Sequence, residues 1–206
     1  MKKKTEAKRQ AIIEAAAVTF LEFGFERASM SKICSRVGGS KATIYNYFAS
    51  KEELFSEVMS LSNETEFKFV HEVLENKEDD MVQTLYALGQ RLLHFLYSAQ
   101  FRDYRRLAIV ESGRTDLGKI SYERGIITRS QIMISEYLAK AVDTGKIKRS
   151  DPLVAAKHLY GLLEAELILQ FLWLINEEIS EEKIKNIVKR AVDVFMAAYG
   201  EKPFPV

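Results

Sequence analysis

The sequence predicts an all-α fold in two parts, an N-terminal three-helix helix-turn-helix domain over residues 1–50 and a C-terminal helical bundle over 51–206. Three observations predict it. Proline occurs only at positions 152, 203 and 205, strand-like alternation is scarce, and the apolar residues between glycines recur at helical period. The charge is divided as well: residues 1–51 carry ten Lys/Arg against four Glu, about +6, which leaves about −5 for the rest of a chain whose net charge is +1. A small basic module attached to a mildly acidic body suits a protein that approaches a polyanion with one end only.

The first helix, over about 5–23, aligns Ile12, Ala16 and Phe20, and beside them Ile13, Ala17 and Leu21, at i, i+4 spacing. Gly24 ends it and Phe25 plugs the core. Ser29 caps a second helix to about Val37, with Ile33, Cys34 and Val37 inward and Ser31, Lys32, Ser35 and Arg36 outward. Gly38 and Gly39 make a turn, Ser40 caps a third helix, and Ile44 and Phe48 point together toward the first two. Ser50 and Glu53 read as a capping box opening a long helix to about Asn76. Beyond it, helices are predicted near 79–99, 101–112, 115–144 with a break near Gly125, 151–175 and 181–199.

Two short helices around a glycine turn form a helix-turn-helix, which presents its second helix to a DNA major groove N-terminus first. Lys41, Ala42, Thr43 and Asn46 lie on the leading face. Lysine donates to guanine O6/N7, asparagine pairs with adenine, and alanine or the threonine methyl meets a thymine methyl. Tyr45 is read with one side of its ring packed in the core. Ser29, Tyr47 and Lys51 are positioned for phosphates, as are the helix N-termini at Ser29, Ser40 and Ser50. The lysine-rich segment Lys2 to Arg9 adds phosphate or minor-groove contacts.

These residues closely resemble the N-terminal signature of TetR/AcrR-family transcriptional regulators. The match runs over residues 8–56 and rests on the Gly24-Phe25 break, the Ile33 to Gly38 spacing, Tyr45, Tyr47 and Phe48, and the run Ser50-Lys-Glu-Glu-Leu54. Tyr104 to Arg114, Gly145 to Pro152 and His158 to Leu167 resemble the C-terminal half of AefR-like efflux regulators. The resemblance implies a homodimer on a palindromic operator and a C-terminal body that binds a small-molecule effector. It assigns base or groove contacts to Lys41, Ala42, Thr43, Tyr45 and Asn46, and phosphate contacts to Ser29, Tyr47 and Lys51. Two positions depart from the family pattern. Cys34 stands where alanine is usual, and Gly39 replaces a small aliphatic residue, which leaves the turn looser.

The implied function is a ligand-responsive transcriptional repressor. The rival is a small-molecule-binding or catalytic helical protein without sequence-specific DNA binding. No nucleophile–base pair, phosphate-cradling glycine loop or carboxylate dyad occurs at catalytic spacing, so no enzyme and no cofactor are expected. Cys34 is a lone cysteine, which excludes an internal disulfide and reads as a small buried residue, with a redox role as the alternative. His94 and His158 lack partners at ligand spacing, so no metal is expected. The charged start runs into an amphipathic segment rather than a signal peptide, and the apolar run Leu167 to Ile175 is too short to span a bilayer. The expected location is the cytoplasm.

Phe95, Glu111, Arg114, Tyr122, His158, Glu164, Gln170 and Trp173 interrupt otherwise apolar helices and are the candidates for an effector pocket. The helices near 151–175 and 181–199 are apolar enough to form a four-helix dimer interface, two from each subunit.

Overall fold

The structure, a computed structural model, describes residues 5–75, 80–175 and 178–201, with 60–66 and 124 described by their backbone alone. Among the described residues the chain is helical: α1 (Glu6–Arg27), α2 (Met30–Val37), α3 (Lys41–Tyr45), α4 (Lys51–Glu75), α5 (Met81–Leu96), α6 (Ala99–Glu111), α7 (Leu117–Arg124), α8 (Ile126–Asp143), α9 (Pro152–Glu164), α10 (Ile168–Leu172) and α11 (Glu181–Tyr199). None of these helices is long and apolar enough to cross a membrane. Packing groups them into two compact units. The first takes in the chain through Thr65 together with Asp103–Ile126, and the second takes in Glu66–Arg102 and Ile127 onward. The first unit is larger than the 1–50 segment set apart in sequence, because α4, α6 and α7 contribute side chains to its core.

In the first unit the inward stripe of α1 (Ile12, Ile13, Ala16, Phe20) packs with Ile33 of α2, Ile44 of α3, Phe48, and Leu54, Phe55 and Val58 of α4. α1 holds a sharp break at Gly24 (φ 73°, ψ 167°), a conformation open essentially to glycine alone, and the break sends Phe25 back into the core. Phe25 then stacks on Phe20 at 5.6 Å between centroids, and Phe55 meets both edge-on at 5.3 and 5.6 Å. Tyr104 of α6 closes the cluster, 6.2 Å from Phe55. Each fully buried phenylalanine contributes roughly 1.5–3 kcal/mol, so this aromatic cluster is a main anchor of the unit.

In the second unit α11 packs against both α5 and α9. Leu85, Leu88 and Leu92 of α5, Leu159 and Leu163 of α9, and Ile187, Val188, Val192 and Phe195 of α11 are all buried. Gly89 permits the close approach. A Cβ there would lie 2.7 Å from Val188 Cγ1 and 2.8 Å from Leu163 Cδ2. Polar ties flank this core: Tyr86 donates to Asp193 at 2.8 Å, and Arg190 grips Glu166 through two bonds of 2.8 and 2.7 Å.

The predicted caps hold. Ser29 and Ser40 each accept the backbone N–H three residues on, and Ser180 does the same at the start of α11. At α4, Ser50 Oγ accepts from Glu53 N at 3.0 Å, while the Glu53 carboxylate accepts from Ala49 N at 2.5 Å, one residue earlier than in a standard capping box.

Two expectations are corrected. Leu21 is 44% exposed, because nine residues amount to two and a half turns and set it opposite Ile12; buried Thr19 joins the inward face instead, its hydroxyl donating to the Ala15 carbonyl. The expected helix 151–175 is two helices. Tight three-residue bonds, Ala165 N to Leu162 O and Leu167 N to Glu164 O, break it and turn Leu167 and Phe171 into the core. Lys8 and Arg9, the end of the lysine-rich segment, lie in α1 as its expected start near residue 5 implies, and its N-cap is Thr5. Lys2, Lys3 and Lys4 lie outside the described residues, as does the expected helix end at Asn76.

Candidate nucleic-acid interface

The turn between α2 and α3 is built from Gly38 (φ 71°) and Gly39 (φ 140°), both in backbone conformations that side chains resist. Sequence reading left this turn loose. The structure ties it from two sides: Lys8 Nζ donates to the carbonyls of Val37 (3.2 Å) and Gly38 (2.9 Å), and Cys34 Sγ donates to the Gly39 carbonyl at 3.0 Å. Cys34 is buried, so its thiol packs and bonds as a structural element.

α3 begins at the Ser40 cap, and Asn46 continues in helical conformation (φ −70°, ψ −23°), which carries the turn through to Phe48. Ile44 and Phe48 are buried, while Lys41, Ala42, Tyr45 and Asn46 are exposed on the other side. Thr43 is half-buried, its hydroxyl 2.9 Å from that of Ser40. Tyr45 is 46% exposed, so its ring presents more of itself to solvent than a core-packed tyrosine would. A short helix thus stands on an apolar footing and turns lysine, alanine, tyrosine and asparagine outward. That is the side-chain set a major groove can read.

The phosphate candidates flank this face. Ser29 is exposed at the start of α2. Tyr47 is half-buried and its hydroxyl accepts the N–H of Thr5 at 3.0 Å, which fixes the phenol beside the start of α1. Lys51 is used differently from the expectation. Its ammonium donates to the carbonyls of Phe25 (2.7 Å), Ala28 (3.2 Å) and Glu26 (3.4 Å) and sits 4.2 Å over the Phe25 ring. It locks the start of α4 onto the end of α1. Sequence reading missed this, because the acceptors lie more than twenty residues away and are backbone atoms, which carry no residue signal. Arg9 is likewise internal, paired with Glu57 and 5.5 Å from the Phe48 ring. Arg36 pairs with Glu22. The basic surplus of this unit therefore includes cations committed to holding it together.

The effector candidates fall in both units. Glu111 is buried in the first, Arg114 is exposed with its guanidinium 3.5 Å from Glu26, and Tyr122 is 71% exposed. In the second, Phe95 packs on Phe101 at 4.5 Å, and exposed His158 has Nδ1 2.6 Å from the Tyr199 hydroxyl. Buried Glu164 accepts from Tyr97 at 3.0 Å, Gln170 is half-buried and Trp173 is 76% exposed. Tyr122 and Trp173 are thus largely exposed, Trp173 at the C-cap that ends α10. What the second unit does hold is an open cleft of about 450 Å³ between the end of α4 and α8, lined by Phe67, Lys68, His71, Glu72, Arg129 and Met133. None of these was singled out in sequence. Their spacing, i and i+1 with i+4 and i+5 on α4 and i, i+4 on α8, is that of any helix face.

Residues 12–58 match bacterial regulatory proteins of the tetR family, and residues 83–201 match the AefR-like transcriptional repressor C-terminal domain. The HTH-type transcriptional regulator YhgD of Bacillus subtilis is 25% identical over 171 residues, 81% of this chain and 84% of that protein. Among solved structures, a TetR-family transcriptional regulator from Mesorhizobium loti superposes with a TM-score of 0.83 at 29% identity, covering 96% of this chain and all of that one. The flavonoid-responsive regulator FrrA superposes with a TM-score of 0.80 at 26% identity over the same shares. The helix-turn-helix with its polar face outward is thus joined to a body whose family match alone spans more than half of the chain, and the protein belongs to the TetR family of ligand-responsive transcriptional regulators.

Proposed function

We propose that two copies of this chain bind a two-fold symmetric DNA operator in the cytoplasm as a repressor, and that a small molecule held by the C-terminal body releases them. One observation carries the reading: buried Ile44 and Phe48 anchor a helix whose exposed side offers Lys41, Ala42, Tyr45 and Asn46. With Thr43 these residues read the groove, while Ser29, Tyr47 and the start of α4 at Lys51 hold the phosphate backbone. The functional division is the one proposed from sequence, a DNA-binding domain over 1–50 and an effector and dimerisation domain over 51–206.

The dimer surface lies on α9, α10 and α11. Leu153, Val154, Leu169, Leu172 and Val194 are exposed there, an apolar surface that a second copy would cover in a four-helix interface. Dimerisation sets the two recognition helices about 34 Å, one DNA turn, apart or at a multiple of it. FrrA, named as flavonoid-responsive, supports an organic small molecule as the effector. α4 and α6 each contribute residues to both units, which makes them the elements through which an effector favouring one conformation would act on the other unit. Coupling of about 1–3 kcal/mol is typical of such regulation.

The test is binding of the purified protein to labelled DNA from upstream of its own gene, followed by fluorescence anisotropy against salt. Saturable, salt-dependent binding that prefers this duplex over a scrambled one supports the reading, and equal binding to both overturns it. Sedimentation gives the stoichiometry: the wild type should run as a dimer, and Leu153→Glu with Val194→Glu should run as a monomer that has lost most operator affinity.

A further inference from the structure

The cleft between the end of α4 and α8 has an unbalanced charge. Phe67, Lys68, His71 and Glu72 form one wall and Arg129 and Met133 the other. The guanidinium of Arg129 lies 3.7 Å from the centroid of the Phe67 ring. Among the described residues it has no carboxylate within ion-pair distance, and neither has Lys68. His71 is engaged outside the cleft, with Nδ1 3.2 Å from the Glu75 carboxylate. Among the described residues Glu72, on the same wall as Lys68 and opposite Arg129, supplies the one carboxylate of the lining, so two cations stand against it around a volume of about 450 Å³. That volume is in the range of small-molecule sites, roughly 300–1,000 Å³.

A guanidinium stacked on an aromatic face keeps its N–H edge free, because the ring contacts only its plane. Arg129 can therefore stay on Phe67 and still offer a planar fork to an anion. We propose that the cleft binds amphipathic organic monoanions, with a carboxylate held by Arg129 and Lys68 and an aromatic or alkyl body laid across Phe67 and Met133. This inference rests on the reading of the protein as effector-responsive and names the chemical class of that effector. Two features select the class. A dianion would face Glu72 with its second charge, and a neutral ligand would leave both cations unmatched. A methionine opposite an aromatic ring suits bodies of varied shape, since its thioether chain adapts to them. The site also gives the ligand a purchase on regulation, since Phe67 and Lys68 belong to α4, the same continuous helix that begins at Lys51.

The test uses the full-length protein with ¹³C-methyl methionine, the Met133 signal being assigned by Met133→Leu. Octanoate and 4-phenylbutanoate are titrated beside octan-1-ol and octylammonium. The carboxylates should shift the Met133 resonance saturably, and the alcohol and the ammonium should do so at least about tenfold more weakly. Arg129→Gln, an exposed position, should abolish the carboxylate response while the other methionine signals stay in place. Arg129→Lys should retain part of it. Equal responses to all probes, no response to either carboxylate, or an unchanged response in Arg129→Gln would overturn the site. Operator binding is measured alongside. A carboxylate that saturates Met133 yet leaves operator affinity unchanged supports the anion site and overturns the effector role on which it was built.

Discussion

The ammonium of Lys51 lies 2.7 Å from the carbonyl oxygen of Phe25 and 4.2 Å from the centroid of that residue's ring. Phe25 in turn depends on the break at Gly24 to face inward. The start of α4 and the end of α1 are thereby joined through one side chain, and the carbonyls it satisfies would otherwise compete for water.

Removing that ammonium should therefore loosen the first unit. Lys51→Met keeps the aliphatic stem over Phe25 and deletes the donors. Hydrogen bonds from a charged donor contribute about 1.5–3 kcal/mol when protected, and half-exposure at Lys51 places the expected loss near the low end. Circular dichroism should show the melting temperature falling by several degrees. A variant that melts with the wild type would mean that solvent already screens these bonds.

Gly24→Ala should be costly although the space around it is empty. No atom would come within 4 Å of the new Cβ, so the penalty is backbone strain alone, from φ 73° with ψ 167°. Such conformations cost about 1–3 kcal/mol for residues with a side chain. Urea denaturation should report a lower midpoint, with Gly113→Ala, where the space is also empty but φ is ordinary, as the control.

Base and phosphate contacts should separate by their dependence on sequence. Asn46→Ala should cost about 1–3 kcal/mol on the best operator and relax the preference at one base pair per half-site. Tyr47→Phe should weaken binding to all duplexes alike and leave the salt slope unchanged, since the phenol carries no charge. Anisotropy on a panel of single-base variants distinguishes the two patterns. A sequence-dependent loss in Tyr47→Phe would contradict the division.

The pair Tyr86 and Asp193 makes a prediction about pH. Burial, and then the bond to Asp193, push the Tyr86 phenol up to about 12, while the bonds from Lys189 and Tyr86 hold the Asp193 carboxyl below its usual value. The tyrosine favours its protonated form in the folded state. Its contribution is complete below pH 10 and is lost as pH rises from there toward 12. The aspartate contributes above the ordinary carboxylate range, and that part is lost as pH falls through its lowered value. Asp193→Asn should bring the Tyr86 phenol to lower pH, read as the difference between the 295 nm titrations of Asp193→Asn and the wild type with Tyr86→Phe marking its step, and should flatten the acid limb of the stability profile. An unchanged tyrosine titration would show that burial alone raises Tyr86.

Much of the first unit was legible because its signals are local. Ser29, Ser40 and Ser50 cap within three residues, Gly24 and Gly38 mark breaks that glycine alone tolerates cheaply, and Ile44 with Phe48 follows from helical period. Those same signals placed Lys41, Ala42 and Asn46 on the exposed side. The division of the long apolar segment at Ala165 was not legible, because a run apolar on most sides has no preferred face until neighbours choose one.

The sequence by itself determined an all-helical chain, a short third helix with Lys41, Ala42 and Asn46 on its exposed side, and the family that goes with them. Helix periods, caps and glycine breaks act over a few residues and need no partner. Tertiary structure alone decided which cations bind the protein to itself: Lys8 on the turn carbonyls, Arg9 on Glu57, and Lys51 on the end of α1. It also decided where a cleft opens, between Phe67 on α4 and Arg129 on α8. A flexible charged side chain finds its partner by proximity in space. Backbone carbonyls and helix faces sixty residues apart leave no mark of that proximity in the order of the amino acids.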